Sequence, residues 1–236
     1  MQLKNQCILG IEASGFSVSV GLMEAGIARG LIYINDGSPG SEILLATIDQ
    51  LLLILKIDKN RLEGICVTVG PGAFTSLRIS LAVAESLGLG LHIPVYGVDT
   101  LSLIAATVPF YPSPIKVIQN AYKGEFYTAT YETKLGKPRL LDKLRLVMPE
   151  KFYNGLQPED LILGSGIDLL EKKGFDLGAK QVRCSRDFNR IVSGISVIEN
   201  FLEEEAREPS VKPLEPIYIR LSDAEINYDR QFGVKK

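Results

Sequence analysis

The chain has 236 residues, 46% of them hydrophobic, so it can bury one large core or two of ordinary size. Its net charge of -2 at pH 7 argues against a protein that grips nucleic acid through a basic field of its own. The N-terminus lacks a basic segment followed by an apolar run, and polar residues interrupt the most apolar regions. We therefore expect a cytoplasmic globular protein without membrane contact.

Histidine and cysteine counts restrict the chemistry further. His92 is the only histidine, which excludes a metal motif built on two histidines, and we predict no metal site. We expect His92 to be an ordinary loop residue. Cys7, Cys66 and Cys184 are far apart and lie in apolar contexts, so we predict buried, reduced thiols.

The first half of the chain alternates as a three-stranded meander followed by alternating helices and strands. Glu24 to Gly26 is the predicted hairpin turn, Ser41 a helix N-cap, and Asp99 or Thr100 another. The predicted elements are strands over 7–11, 16–22 and 28–34, a helix over 42–55, a strand over 65–69, an apolar helix ending at 91, a strand over 94–98 and a helix over 101–106.

The second half begins to repeat the first after a proline-containing break at 108–114. Its predicted elements are strands over 115–121, 125–131, 139–147 and 161–163, a helix over 191–205 and a last apolar segment over 216–220. The repeated meander predicts a duplicated α/β fold. We divide it into lobes at 1–108 and 109–236 and allow for the final segment packing back on the first lobe.

The stretch from Ile65 to Leu91 reads as a buried strand, a Gly-Pro-Gly turn and an apolar helix. Gly70-Pro71-Gly72 lies where α/β proteins place ligands, but it lacks the Lys-Ser/Thr ending of a phosphate-binding P-loop. A structural turn that aims the helix is therefore the favoured interpretation. In the helix, small residues recur every four positions and give one face little bulk: Ser76, Ser80, Ala84 and Gly88.

The helix over 42–55 carries more apolar surface than one face needs. Its predicted core stripe consists of Leu44, Leu45, Ile48, Leu51, Leu52 and Leu55, and three aliphatics fall opposite. Either another part of the chain or a partner protein covers those three. We predict a two-helix partner surface made of Ile43, Leu53, Ile54, Phe74, Ser76, Leu77, Arg78, Ser80, Leu81, Ala84 and Gly88.

Five segments follow one another in the order and spacing of a known family: ILGIEAS, VGPGAFTSLRIS, IPVYGVDTLSLIA, AYKGEFYTATYE and EPIYIRLSDAE. Over nearly its whole length the chain resembles the TsaB (YeaZ) family of the bacterial machinery that makes threonylcarbamoyladenosine in tRNA. The most specific element is G-P-G-x-F-T-x-x-R, matched by Gly70, Pro71, Gly72, Phe74, Thr75 and Arg78.

The resemblance implies an actin/sugar-kinase/Hsp70-like fold, a duplicated, ribonuclease H-like, two-lobed α/β architecture. It implies a non-catalytic scaffold that binds and activates its catalytic homologue TsaD, which transfers threonylcarbamoyl from threonylcarbamoyl-AMP to adenosine in tRNA. The ATPase TsaE would join that pair, tRNA would be reached only through the complex, and the chain alone would form a homodimer. No cofactor would be held firmly by this chain, and ATP or ADP would bind at the complex interface.

The chain departs from the family pattern in three loops. Glu12-Ala13-Ser14 replaces Asp-Thr-Ser, Asn120-Ala121-Tyr122 replaces Asp-Ala-Arg, and Gly40 stands where a histidine often precedes Ser-Glu. Because phosphoryl transfer depends on positioned carboxylates and metal, these changes count against a kinase, and we expect no catalytic residue.

The alternative function is a nucleotide-binding small-molecule kinase of the same fold. Its nucleotide would contact Glu12, Ser14, Gly70 and Gly72, the candidate cofactor-binding residues. A hydrogen-bonded structural loop is the competing interpretation of the first two.

Overall fold

The structure is a computed structural model, and it describes residues 5–15, 17–35, 40–121, 123–134, 137–185, 192–203 and 214–217, with the backbone alone at 40–42 and 203. Two five-stranded mixed sheets, one in each half of the chain, form its framework. Helices separate the sheets and cover their outer faces.

The first sheet has the order β3-β2-β1-β4-β5. Its strands are β1 (Cys7–Glu12), β2 (Val18–Glu24), β3 (Ile27–Ile34), β4 (Gly64–Gly70) and β5 (Val95–Asp99). β1 runs antiparallel to β2 and parallel to β4, so the meander forms one side and the parallel strands the other. The helices of this half are α1 (Gly40–Leu55), α2 (Phe74–Leu91) and α3 (Thr100–Ala106).

The second sheet has the order β8-β7-β6-β9-β10, which repeats the first strand for strand. Its strands are β6 (Ile115–Asn120), β7 (Phe126–Lys134), β8 (Lys137–Val147), β9 (Leu161–Leu163) and β10 (Arg183–Ser185). The helices of this half are α4 (Pro149–Asn154), α5 (Gly166–Lys172) and α6 (Gly194–Glu203). The duplicated, two-lobed α/β architecture expected from the sequence is thereby confirmed.

Local signals in the sequence explain several element ends. Ala25 (φ 51°) and Gly26 (φ 76°) both adopt the left-handed conformation that a tight hairpin between β2 and β3 requires. Asp99 Oδ1 accepts a 2.6 Å hydrogen bond from the Ser102 amide and so caps α3. These positions confirm the predicted hairpin turn and identify Asp99 as the cap.

Three hydrophobic clusters divide the molecule into five layers. One lies between the outer helices α1 and α2 and the first sheet, and another between α4, α5 and the second sheet. The central cluster joins the facing surfaces of both sheets to α3 and α6. The two lobes therefore share the central cluster.

The central helices lie over the sheets of the opposite halves. α3, which follows the first sheet, packs on β6, β7 and β8, whereas α6 packs on β1, β2 and β4. Three glycines permit the close approach of α6. A Cβ built on Gly10 would lie 1.9 Å from the carbonyl oxygen of Gly194, and one on Gly194 would lie 2.3 Å from the Gly21 nitrogen.

The short segment over 214–217 also lies against the first lobe. The Ile217 amide donates a 2.8 Å hydrogen bond to the carbonyl of Val69, and the Leu214 amide donates to the carboxylate of Glu85 on α2. The segment thus contacts both the last residues of β4 and the helix that follows them.

The structure corrects some sequence predictions. Leu45 is 55% exposed, because the buried stripe of α1 centres on Leu44, Ile48 and Leu51 and Leu45 lies about 100° around the helix. Cys184 is exposed on β10, whereas Cys7 and Cys66 are buried and reduced as predicted. α4, α5 and β10 were not predicted. The Ser41 side chain and the predicted elements beyond 203 and 217 lie outside the described residues.

By length and composition alone, α2 could cross a membrane, since it has 18 residues with a mean hydropathy of 1.2. One such helix is weak support for a membrane span, because a helix that covers a sheet passes the same test. Here Leu81 and Ala84 pack with Leu9, Ile65 and Val67 of the first sheet, as in a helix that covers a sheet on one side.

Candidate functional site

The loops that follow β1 and β4 meet at the carboxyl ends of these parallel strands. Glu12 is the last residue of β1, and its Oε1 accepts hydrogen bonds from the Ser14 amide at 2.9 Å and from Ser14 Oγ at 2.5 Å. Both residues are 4% exposed. The loop after β1 is therefore closed on itself, in agreement with the hydrogen-bonded interpretation of Glu12 and Ser14.

The Gly-Pro-Gly turn packs directly on that loop. A Cβ built on Gly72 would lie 2.2 Å from the Ser14 carbonyl oxygen, which also accepts a 2.7 Å hydrogen bond from the Ala73 amide. Gly70 has φ 104°, a conformation that favours glycine. The two loops thus pack tightly against each other and share a hydrogen bond. Together they determine where α2 begins, at Phe74.

Burial raises the pKa of the Glu12 carboxyl, and the hydrogen bonds from the Ser14 hydroxyl and amide oppose that rise. Glu12 Oε1 already accepts hydrogen bonds from the amide and the hydroxyl of Ser14. Contact of Glu12, Ser14, Gly70 and Gly72 with a nucleotide stays a prediction.

We expect Glu12→Gln to become more stable relative to the wild type as pH rises from 4.5 through the raised pKa of the folded carboxyl. The amide oxygen can still accept both bonds from Ser14. A carboxyl with a higher pKa in the folded chain than its ordinary 4.5 binds more protons when folded, so the native state loses stability as pH rises through that interval. Urea unfolding of both proteins at several pH values measures the difference.

Glu132→Gln is the matched control, with the opposite expectation. The hydrogen bond from Arg139 lowers the pKa of Glu132 below its ordinary 4.5, so the wild type should gain on this variant only as pH rises toward 4.5, and the difference should stay constant above it. If the stability of Glu12→Gln relative to the wild type stayed constant or fell as pH rose above 4.5, the pKa of Glu12 would not be raised in the folded chain.

The second lobe repeats this pair of loops with different chemistry. The Asn120 amide donates a 3.2 Å hydrogen bond to Ser165 Oγ, and a Cβ on Gly164 (φ 106°) would lie 2.2 Å from the carbonyl oxygen of Ile118. Asn120 replaces the acidic residue of the family pattern, and Tyr122 lies outside the described residues. The ends of β6 and β9 thus stay in close contact without that carboxylate.

The small-residue face of α2 points into this chain, which corrects part of the predicted partner surface. Six of its proposed members are buried within the chain: Ser76, Leu77, Ser80, Leu81, Ala84 and Gly88. A Cβ on Gly88 would lie 2.3 Å from Val95 Cγ2, so small residues let α2 approach its own sheet rather than a second protein. These six residues are therefore covered by the chain itself.

Other residues of α1 and α2 do form an exposed apolar surface. Leu53 is 72% and Ile54 59% exposed, whereas Ile43 is half-buried against the core. Phe74 is exposed, and the Arg78 guanidinium lies 3.9 Å from the centre of its ring. These positions of the predicted set remain accessible.

Two further exposed residues belong to this surface. They are Leu45 on α1 and Leu89 on α2, which is 78% exposed. Leu89 falls about 60° around the helix from Phe74, so the 3.6-residue period could have found it. We define the α1–α2 surface as Leu45, Leu53, Ile54, Phe74, Arg78 and Leu89.

His92 ends α2 in the left-handed conformation (φ 57°), and its amide donates to the carbonyls of Gly88 and Leu89. It is exposed and acts as a helix C-cap. Over the described part of the chain, no three histidine, cysteine or acidic side chains come together in a way that could hold a metal ion.

Similarity to known proteins extends over most of the chain. The family model for TsaD, tRNA N6-adenosine threonylcarbamoyltransferase, matches residues 40–162, slightly more than half of the sequence. The curated relative "tRNA threonylcarbamoyladenosine biosynthesis protein TsaB" of Bacillus subtilis is 28% identical over 228 residues, 94% of this chain and 97% of the relative. Escherichia coli TsaB is 27% identical over 127 residues, 53% of this chain and 54% of the relative.

Solved structures agree with the fold. YeaZ from Pseudomonas aeruginosa superimposes with a TM-score of 0.75 at 20% identity, over 90% of this chain and 99% of that one. At this identity the likeness shows the fold alone. Together with the family match and the end-to-end relative, it leads to one conclusion: the chain belongs to the TsaB (YeaZ) family and carries the domain that the TsaD family model describes.

Proposed function

We propose that this chain is a non-catalytic subunit of the machinery that makes threonylcarbamoyladenosine in tRNA, and that it acts by binding a TsaD-like catalytic homologue. The names of its relatives support the pathway. The exposed apolar side chains of the α1–α2 surface support the proposal that the chain binds a partner. A TsaE-like ATPase would join this pair.

The exposure of large apolar side chains on two adjacent helices is the main observation. Leu53, Ile54 and Leu89 each leave more than half of their surface in water. α1 and α2 pack side by side, so these side chains belong to one face of the molecule. Adjacent exposed apolar side chains of this size mark interaction sites in soluble proteins.

The sequence also argues for a partner that supplies the chemistry. With a single histidine, this chain lacks the residues for a two-histidine metal motif. At the first loop, Glu12 is buried and bonded to Ser14, which does not favour the kinase alternative. Without its partner, a second copy of the chain would cover the same apolar face.

The test is binding of the full chain to the TsaD-like protein of the same organism, measured by calorimetry. Leu53→Glu and Leu89→Glu should each weaken binding roughly 30-fold, as expected when a central apolar side chain worth about 2 kcal/mol is lost. Both positions are exposed, so the variants should keep the wild-type fold.

Leu140→Glu is the matched control, because Leu140 is 51% exposed but lies on β8 of the second sheet. It should bind like the wild type. Failure of the wild type to bind the TsaD-like protein would refute the proposed function. If Leu53→Glu and Leu89→Glu both bound with wild-type affinity, the α1–α2 surface would not be the binding site.

A further inference from the structure

The second lobe carries an exposed basic and aromatic cluster at the turn end of the β7–β8 hairpin, where β7 ends and β8 begins. β7 and β8 together contain five cations, Lys134, Lys137, Arg139, Lys143 and Arg145, against two carboxylates. This local excess of positive charge stands out in a chain whose net charge is -2.

The carboxylates of β7 and β8 form ion pairs with the two arginines rather than with the lysines. Arg139 pairs with Glu132 at 2.6 Å, and Arg145 pairs with Asp142 at 2.8 Å. Across the described residues, no ion pair involves Lys134, Lys137 or Lys143, and all three are exposed. The hairpin therefore offers exposed ammonium groups that take no part in these ion pairs.

An exposed aromatic ring lies beside two of these lysines. Phe110, which is 67% exposed, forms an antiparallel bridge with Lys134, and Lys134 is paired with Lys137 across the hairpin. Residues paired across neighbouring strands project to the same side of a sheet, with the strands about 4.8 Å apart. One ring and two ammonium groups thus share a small area of surface.

We propose that this cluster, Phe110 with Lys134 and Lys137, binds a single-stranded segment of the RNA substrate. A base would stack on the Phe110 ring, and the two lysines would contact the flanking phosphates. Exposed aromatic rings within a basic surface are how proteins hold single strands without reading their sequence. The inference rests on the proposed function in tRNA modification. It departs from the expectation that tRNA is reached only through the complex, because it adds a direct RNA contact by this chain.

The test is binding of the full chain to an unmodified tRNA transcript, followed by fluorescence anisotropy between about 20 and 200 mM salt. Lys134→Ala combined with Lys137→Ala should reduce the slope of log affinity against log salt by about 1.4, since each single-strand phosphate contact contributes about 0.7. Phe110→Ala should weaken binding about tenfold or more with little change in that slope, and Phe110→Tyr should retain binding.

The control is Lys172→Ala combined with Lys173→Ala, which removes the same charge from the exposed end of α5. This control should change the slope of log affinity against log salt less than the Lys134 and Lys137 double variant does. An unstructured RNA oligonucleotide should compete with the tRNA more strongly than a duplex of equal length.

Three results would overturn the inference. The first is wild-type affinity in the hairpin variants, and the second is no measurable binding by the full chain at the lowest salt. The third is loss of binding to a protein partner, but not to tRNA, when Phe110 or the lysines are replaced. The partner titration with the Leu53 and Leu89 variants is independent, so a failed RNA contact can be distinguished from a failed proposed function.

Discussion

Replacing Gly194 by alanine should lower the free energy of unfolding by about 3 kcal/mol. The new Cβ would lie 2.3 Å from the Gly21 nitrogen and 2.4 Å from the Gly10 carbonyl oxygen. Both are backbone atoms of paired strands that cannot move aside locally. α6 would have to lift from the sheet, which would loosen the packing of Val197 and Ile198 in the central core.

Urea unfolding followed by far-ultraviolet circular dichroism measures this effect, because the chain has no tryptophan. Gly90→Ala is the matched helix variant, since nothing lies within 4 Å of a Cβ there. It should gain roughly 0.5–1 kcal/mol, because alanine restricts the unfolded chain and favours a helix. Stability of Gly194→Ala within about 0.5 kcal/mol of the wild type would show that α6 does not pack this closely.

Gly72→Ala should cost about 2–3 kcal/mol of stability and also weaken partner binding. Its Cβ would lie 2.2 Å from the Ser14 carbonyl oxygen, so the Gly-Pro-Gly turn would have to move away from the loop after β1. That movement would break the 2.7 Å hydrogen bond from Ala73 to Ser14 and shift the start of α2. Since Phe74 and Arg78 lie in the first turns of α2, we expect about a tenfold loss of affinity for the TsaD-like protein.

Gly15→Ala provides the comparison for this variant. It lies in the same pair of loops, but nothing lies within 4 Å of an added Cβ. Its stability and binding should stay near wild type. If Gly72→Ala lost stability but bound the partner normally, the turn would support the fold without aiming α2.

The sequence predicted the fold well where local patterns decide the structure. The alternation of β2 and the buried run of β4 indicate strands whatever surrounds them, and Asp99 caps α3 through a hydrogen bond within its own turn. The short helices α4 and α5 escaped prediction because six or seven residues give too little periodicity.

The candidate surface was harder to predict. Periodicity shows which residues share one face of a helix, but it does not show whether the chain's own sheet or a partner protein packs against that face. Ser80 and Ala84 repeat every four residues whether a second helix or the chain's own sheet lies against them, and the sheet occupies that place. Leu53 and Ile54 were identified correctly as the outer side of α1, since no element of the described chain covers them. The Phe110 cluster depends on a bridge between residues 24 positions apart, which no local pattern reveals.

The placement of α3 and α6 over opposite sheets has a consequence for synthesis. When the ribosome has produced the first 108 residues, the inner face of the first sheet, including Ile8 and Cys66, still lacks α6, its cover. That cover becomes available only after Gly194 to Glu203 have been made. The N-terminal half must therefore wait, with an apolar face open to water or to chaperones, for the last helix of the described chain. Separate expression of either half should consequently give aggregation-prone material rather than a folded lobe.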